Sequence, residues 1–436
     1  MNQAPTARET LKLFKLLINM KKSIFLAALV LISAGCFAQK ANVSKARGLA
    51  DAETPDYAGA RAAIAEALQN EETKDQANTW YVAGFIGYKE FETANLNRQI
   101  GQNIDIDQWG AAVYESLGYW NKAYELSQIP TYDKKGRAKY DTRTPKNILP
   151  KVIEYFLYQP LIYACINADN AGDFSRAYEL LLAHINIPEM DILKNNPEEL
   201  EKIPLDTTYY YYVYQAGLFA YKANLYEEAL VAFDRMNTEL AQKNANREEI
   251  IASNEYIYQI LMERKDSVTA EKHIKDCVQR FPEESWFLQN LINLYVYSGR
   301  EMEAVEILDL AIQREPNVGQ YHLSKASIIA VLQGKYEESF ECYQRAIELE
   351  PTNASFYHAY AIAYSDYATQ INNDAAYLSD KEYKIERAKS DAVLSKALPY
   401  SEKAYELEPS NDEYKRTLRS IYYRLGMNDK YEALAD

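Results

Sequence analysis

Four segments of the chain carry one spaced set of residues: a small one, a second four positions on, a small one three further, and proline five beyond that. They are Ala270, Ile274, Cys277 and Pro282; Ala304, Leu308, Ala311 and Pro316; Ser339, Tyr343, Ala346 and Pro351; and Ala397, Ser401, Ala404 and Pro409. From Ala270 to Ala304 and from there to Ser339 the steps are 34 and 35 residues. Positions i, i+4 and i+7 lie on one face of a helix. Small residues there let a neighbouring helix approach closely, and the larger residue between them fills the gap. Proline then stops the helix, because it lacks an amide donor and restricts the residue before it. Each set therefore predicts one helix packed tightly along a small-residue seam.

A partner helix precedes each seam. In "SWFLQNLINLYVYSGREMEAVEILDLAIQREP", Leu288, Leu291 and Tyr295 form one stripe, and Gly299 supplies the tight turn into the second helix. The chain resembles the tetratricopeptide repeat (TPR) family, whose units of about 34 residues are antiparallel helix pairs stacked into a superhelix. "GKYEESFECYQRAIELEP" (334–351) matches that family's second-helix signature most closely. Weaker copies run towards the N-terminus: Ala60, Ile64 and Ala67; a looser one around Ala123; Ala177, Leu181 and His184; and Ala229, Phe233 and Met236. At the other end, "LGMNDKYEALAD" begins one more, with Gly426 at the bend. The resemblance implies an all-α fold, an α-solenoid of about seven to eight TPR-like repeats. Only 29 Gly and Pro residues in 436 agree with long helices and few turns.

The expected organisation is a leader and signal peptide over 1–38, degenerate repeats over 39–130, and a basic loop over 131–147. Middle repeats follow over 148–245, and a C-terminal array over 246–436 with an insertion at about 366–392. The basic loop gathers Lys134, Lys135, Arg137, Lys139, Arg143 and Lys146. Residues 187–206 are proline-marked and acidic. Both segments read first as solvated loops; a contact between the basic island and an acidic partner, or another copy of the chain, is the minor alternative.

"MKKSIFLAALVLISAGCFAQK", from Met20, has the two lysines, short apolar run and small-residue end of a secretory signal, so export to the periplasm or cell envelope is expected. The run is too short to span a bilayer, and no transmembrane span is expected after its removal. Cleavage after Ala38 fits better than lipid attachment at Cys36, where Ser33 departs from the lipobox pattern. The net charge of −15 argues against nucleic acid as a partner. Beyond Cys36, the chain holds Cys165, Cys277 and Cys342, too few and scattered for a disulfide framework, which reads as buried thiols.

No catalytic or metal-binding constellation stands out, so a non-enzymatic protein without cofactor or metal is expected. His184, His273, His322 and His358 are isolated, and His184 falls at a seam position that packing explains. "NIDIDQWG" (103–110) suggests calcium ligands but lacks the rest of a binding loop. The expected function is therefore a protein-binding scaffold, gripping a partner segment in the groove lined by first helices.

The tyrosine run Tyr209–Tyr212 and Tyr214 lies on a first helix. Tyr210, Val213, Gly217 and Ala220 form the stripe towards the second helix, since Gly217 lies twelve residues before Ala229. Tyr211, Tyr214, Leu218 and Tyr221 then face the groove, and Tyr209 and Tyr212 the flanks. Later repeats place Trp286, Gln289, Asn293 and Tyr297 on that face, then Tyr321, Ser324 and Ile328, then Ser355, His358 and Ile362. The expected binding residues are Tyr211, Tyr214, Tyr221, Trp286, Gln289, Asn293, Tyr297 and Tyr321. Two alternatives stay open: these aromatics pack between adjacent repeats, or they stack on sugar rings in a glycan-binding envelope protein of a nutrient-uptake system.

Overall fold

The structure is a computed structural model that describes residues 40–240, 245–332 and 334–434. The expected leader and signal peptide (1–38), with Cys36, lies outside the described residues. The chain divides into two compact units, meeting in sequence between Arg264 and Lys265. Each is an all-α stack of antiparallel helix pairs, the expected α-solenoid arrangement.

The first unit opens with α1 (40–50), α2 (Tyr57–Gln69), α3 (Ala77–Gln99) and α4 (Ile106–Ser127). A small antiparallel hairpin follows, β1 (Thr131–Tyr132) with β2 (Ala138–Lys139). Then come α5 (Arg143–Tyr158), α6 (Pro160–Asn170), α7 (Phe174–Ile185), the short α8 (Asp191–Lys194) and α9 (Pro197–Leu200), α10 (Thr207–Lys222), α11 (Tyr226–Arg235) and α12 (Arg247–Glu263). The second unit runs α13 (Ser267–Arg280), α14 (Ser285–Tyr297), α15 (Glu301–Arg314), α16 (Gly319–Ser327), α17 (Tyr336–Leu349), α18 (Ala354–Asp374), α19 (Asp380–Leu407), α20 (Asp412–Arg424) and α21 (Asn428–Ala433).

The small-residue seams are where the helices meet. Ala60, Ala177, Ala229, Ala270, Ala304, Ser339 and Ala397 are all fully buried, and Ile64, Leu181, Phe233, Ile274, Leu308 and Tyr343 are buried between them. Gly299 adopts the left-handed φ of 67° that its turn requires. Cys165 and Cys277 are buried free thiols, and burial pushes both up to about 12, so neither is a thiolate at neutral pH.

The segments between seams are more ordered than expected. The basic segment is a hairpin with a built turn: the Asp133 carboxylate accepts from the Lys135 and Arg137 amides at 2.8 and 3.0 Å and from Arg137 Nε at 2.8 Å. Residues 187–206 are not a solvated loop. Ile187, Ile192, Leu193 and Ile203 are buried, and α8 packs against α4 and α5. The excess at 366–392 lengthens α18 and α19 into one long helical hairpin, joined by Ser390 Oγ donating to the Ala368 carbonyl at 2.6 Å. Asp105 caps α4 by accepting from the Gln108 amide at 2.9 Å, which accounts for the acidic residues there without calcium.

An additional helix, α5, completes the core of the first unit. Its Tyr155 ring stacks on Trp120 at 5.4 Å and meets Phe91 edge-on at 4.9 Å. Trp120 sits against α3 so closely that a Cβ on Gly84 would lie 2.3 Å from its Nε1. Across α2, α3 and α4, Arg61 pairs with Glu90 at 2.6 Å and Glu115 at 2.9 Å.

Candidate interaction surfaces

Asp206 sets the phase of the tyrosine run by capping α10, accepting from the Thr208 and Tyr209 amides at 2.9 and 3.3 Å. From there the helix distributes the rings. Tyr210, Val213, Gly217 and Ala220 are buried, and a Cβ on Gly217 would lie 2.5 Å from the Phe233 ring of α11. This is the close approach that the twelve-residue interval to Ala229 implied. Tyr209 departs from its expected flank position and is buried. Its hydroxyl donates to the Ile185 carbonyl at 2.9 Å and accepts from Arg235 Nη2 at 2.8 Å. Tyr212 meets the buried His184 ring edge-on at 5.7 Å.

The three expected binding tyrosines of the first unit differ in surroundings. Tyr214 is half-buried, 6.1 Å from the Phe233 ring, and burial first, then Tyr256 and Glu249, pushes its phenol up to about 12. Tyr221 lies 5.1 Å from the Tyr256 ring and donates to Glu263 Oε1 at 2.9 Å, so it joins α10 to α12. Tyr211 is exposed.

In the second unit, Gln289 is exposed and donates to Asn293 Oδ1 at 3.2 Å, and Tyr297 at the end of α14 is 88% exposed. Trp286 is half-buried with its ring edge-on to Phe287 at 5.3 Å. Tyr321 belongs to another environment. With Val278, Phe281, Leu288, Leu291 and Leu310 it lines an apolar cavity of about 390 Å³ among α13, α14 and α15. Two residues expected on the groove face are buried instead. Ile328 packs inside, and His358 lies 4.4 Å from the Tyr414 ring with Nε2 3.0 Å from Thr417 Oγ1 on α20. Successive first helices press together there and take up the side chains between them.

Other surface features gave no helical-period signal. A cleft of about 870 Å³ in the first unit lies beside the hairpin, lined by Tyr124, Gln128, Tyr140, Lys146, Asn195 and Lys202 among others. Its walls come from the end of α4, the start of α5 and the α8–α9 segment, which only folding brings together. Among the described residues, no group of three His, Cys, Asp or Glu residues is placed to hold a metal ion. Among the same residues, no helix is long and apolar enough to cross a membrane.

Residues 329–366, running from just beyond α16 through α17 into α18, match the family described as TPR repeat. That segment of the chain is a tetratricopeptide repeat. Solved structures similar to this chain include a TPR repeats protein from Bacteroides fragilis, 17% identical over 61% of this chain and 98% of that one, with a TM-score of 0.31. MamA from Desulfovibrio magneticus is 17% identical over 42% of this chain and 89% of that one, with a TM-score of 0.30. No curated protein matches this sequence.

Proposed function

We propose that this protein is a non-catalytic scaffold of the cell envelope that binds an extended segment of a partner protein along the exposed face of its first helices. One observation carries the reading. The seam residues of the second helices are consumed by packing, whereas Tyr211 on α10 and Gln289 and Tyr297 on α14 keep their side chains in solvent. An exposed ring on a rigid helix offers a large contact area at low ordering cost, and neighbouring amides add directional hydrogen bonds. Export rests on the signal-like sequence from Met20 to Ala38.

The test is site-specific photocrosslinking in living cells. A photoreactive residue replaces Tyr211 or Tyr297 in one set, and exposed second-helix residues Val231 or Val268 in the other. A shared adduct from the first set alone is the expected result. Equal labelling from both sets removes the first-helix face from the proposal. N-terminal sequencing of the mature chain tests cleavage after Ala38. Glycan binding is the second reading, favoured by the Gln289–Asn293 amide pair on the same helix as Tyr297. A glycan array decides it.

A further inference from the structure

We infer that the β1–β2 hairpin and the cleft beside it form a second docking surface, separate from the first-helix face, for an extended acidic peptide segment of a partner protein.

The charge arrangement points there first. Acidic residues outnumber Lys and Arg by 63 to 48, so an exposed cluster of cations stands out against the rest of the chain. Elsewhere lysines and arginines are paired repeatedly, as Arg61, Lys89, Arg176, Lys275 and Arg300 are. The hairpin segment differs in gathering six cations within residues 134–146. Of its six cations only Arg137 has an ion-pair partner among the described residues, and that partner is Asp133 within the turn itself. Lys134, Lys135, Lys139, Arg143 and Lys146 are exposed, and none has an ion-pair partner among the described residues. Five neighbouring like charges repel one another, and an incoming carboxylate relieves that repulsion.

The surface is also built before any partner arrives. Asp133 holds the turn through two backbone amides and Arg137, with Gly136 at a φ of 74°. Asp141 fixes the other end by accepting from the Arg143 and Thr144 amides at 3.0 and 3.1 Å and from Thr144 Oγ1 at 2.6 Å. A pre-ordered element loses little entropy on binding. Tyr132 pairs across the ladder with Ala138, so Tyr132 and Tyr140 stand on one hairpin face, both exposed, with Lys139 on the other. Tyr140 and Lys146 also line the cleft, whose opposite wall carries Asn195 and Asn196. This gives a strip of cations, rings and amides suited to an extended chain bearing carboxylates.

A long polyanion fits less well. Electrostatic attraction at the hairpin is local, with a screening length of about 10 Å at 0.1 M salt. Nucleic acid or an anionic bilayer extends past the hairpin onto a chain whose total charge is −15. A short acidic segment can stay on the cation strip, where Asp133 and Asp141 are already engaged by the hairpin's own amides and Glu199 in the cleft pairs with Lys202.

Fluorescence anisotropy on the full chain tests this, using a fluorescein-labelled peptide rich in Glu and Asp and its Gln and Asn counterpart. The acidic peptide should bind at least about tenfold more tightly, and weaken with added salt. The K134E/K135E/K139E variant, with unchanged helical circular dichroism, should lose about tenfold or more of that affinity, and K146E part of it. Tyr211→Ala with Tyr297→Ala should leave it intact. Retained affinity in the triple charge variant overturns the proposal. So does loss of affinity in the tyrosine variant, which would place the peptide on the first-helix face. Phosphatidylglycerol vesicles or single-stranded DNA binding as tightly as the peptide would assign the hairpin to general polyanions instead.

Discussion

The two units apply one packing rule with different materials. In the second, small-residue seams carry the structure: Ala270, Ala304 and Ser339 follow at steps of 34 and 35 residues, and Ala397, 58 further on in the lengthened hairpin, is buried in the same way. In the first unit, α5, the hairpin and the α8–α9 segment interrupt the spacing. Large aromatic rings close the gaps, with Trp109, Trp120 and Tyr155 among the largest fully buried side chains. Evenly spaced small residues let helices approach without help. Where the spacing is broken, bulk must replace proximity. The second unit also buries single rings, Tyr343, Phe287 and Phe356, so a ring deletion should be costly in either unit.

Deleting the rings gives the strongest test. Trp120→Ala should cost about 3–5 kcal/mol, and Tyr343→Ala in the second unit a similar amount. If the units unfold separately, each substitution lowers one of two thermal transitions and leaves the other in place. A single transition shifted by both would abolish the distinction in stability.

Acid separates the units next. His184 is fully buried, stacked on Phe156 at 4.5 Å, and burial lowers its pKa to about 3 from an ordinary 6.5. As pH falls below about 6.5 the unfolded chain takes the proton first, so stability is intact above that value and declines down to about 3. By pH 4 this one residue should cost about 2–3 kcal/mol. His184→Phe should remove that decline in a urea titration series. The second unit's His358 is also lowered by burial but faces Thr417 and a nearby Glu413, so His358→Phe should change the acid profile less.

Glycines at close approaches test both units alike. Gly217→Ala drives a Cβ into the Phe233 ring at 2.5 Å and should cost about 1–3 kcal/mol. Gly319→Ala in the second unit meets Glu350 Oε1 at 2.7 Å, the far end of a flexible side chain, and also the Phe356 ring. That ring is equally close, at 2.7 Å, and the Ala346 carbonyl lies at 3.2 Å, so the cost should be comparable, as judged by equilibrium denaturation of both variants.

The seams were legible in the sequence because close packing leaves them no freedom. Only small residues let two helices meet at Ala229 or Ala270, and the interval from Gly217 to Ala229 placed α10 against α11. Other features depend on what folds against them from far away. Nothing local to Tyr221 announces Tyr256 and Glu263 on the next first helix, and nothing near Tyr209 announces Arg235. The hairpin was hidden for another reason. Its strands are two residues each, too short for an alternating pattern, and Asp133 rather than hydrophobic burial holds its turn. A segment organised by one carboxylate leaves composition as its only trace.

Surface charge yields the smallest effect and completes the contrast. In the second unit Glu271 pairs with Arg300 at 2.6 Å and Lys275 at 2.5 Å, and Arg300 also pairs with Glu303. Arg300 and then Lys275 hold the Glu271 carboxyl down to about 2, against 4.5 ordinarily. This contribution is present above pH 4.5 and is lost as pH falls towards 2. Water and salt screen so open a cluster, so Glu271→Gln should cost at most about 1 kcal/mol at low ionic strength and almost nothing in concentrated salt. Lys134→Glu on the hairpin should cost no stability in either condition, because Lys134 has no ion-pair partner among the described residues. A measurable stability loss there would mean that the hairpin cations hold the fold, and would leave them no longer free for a partner.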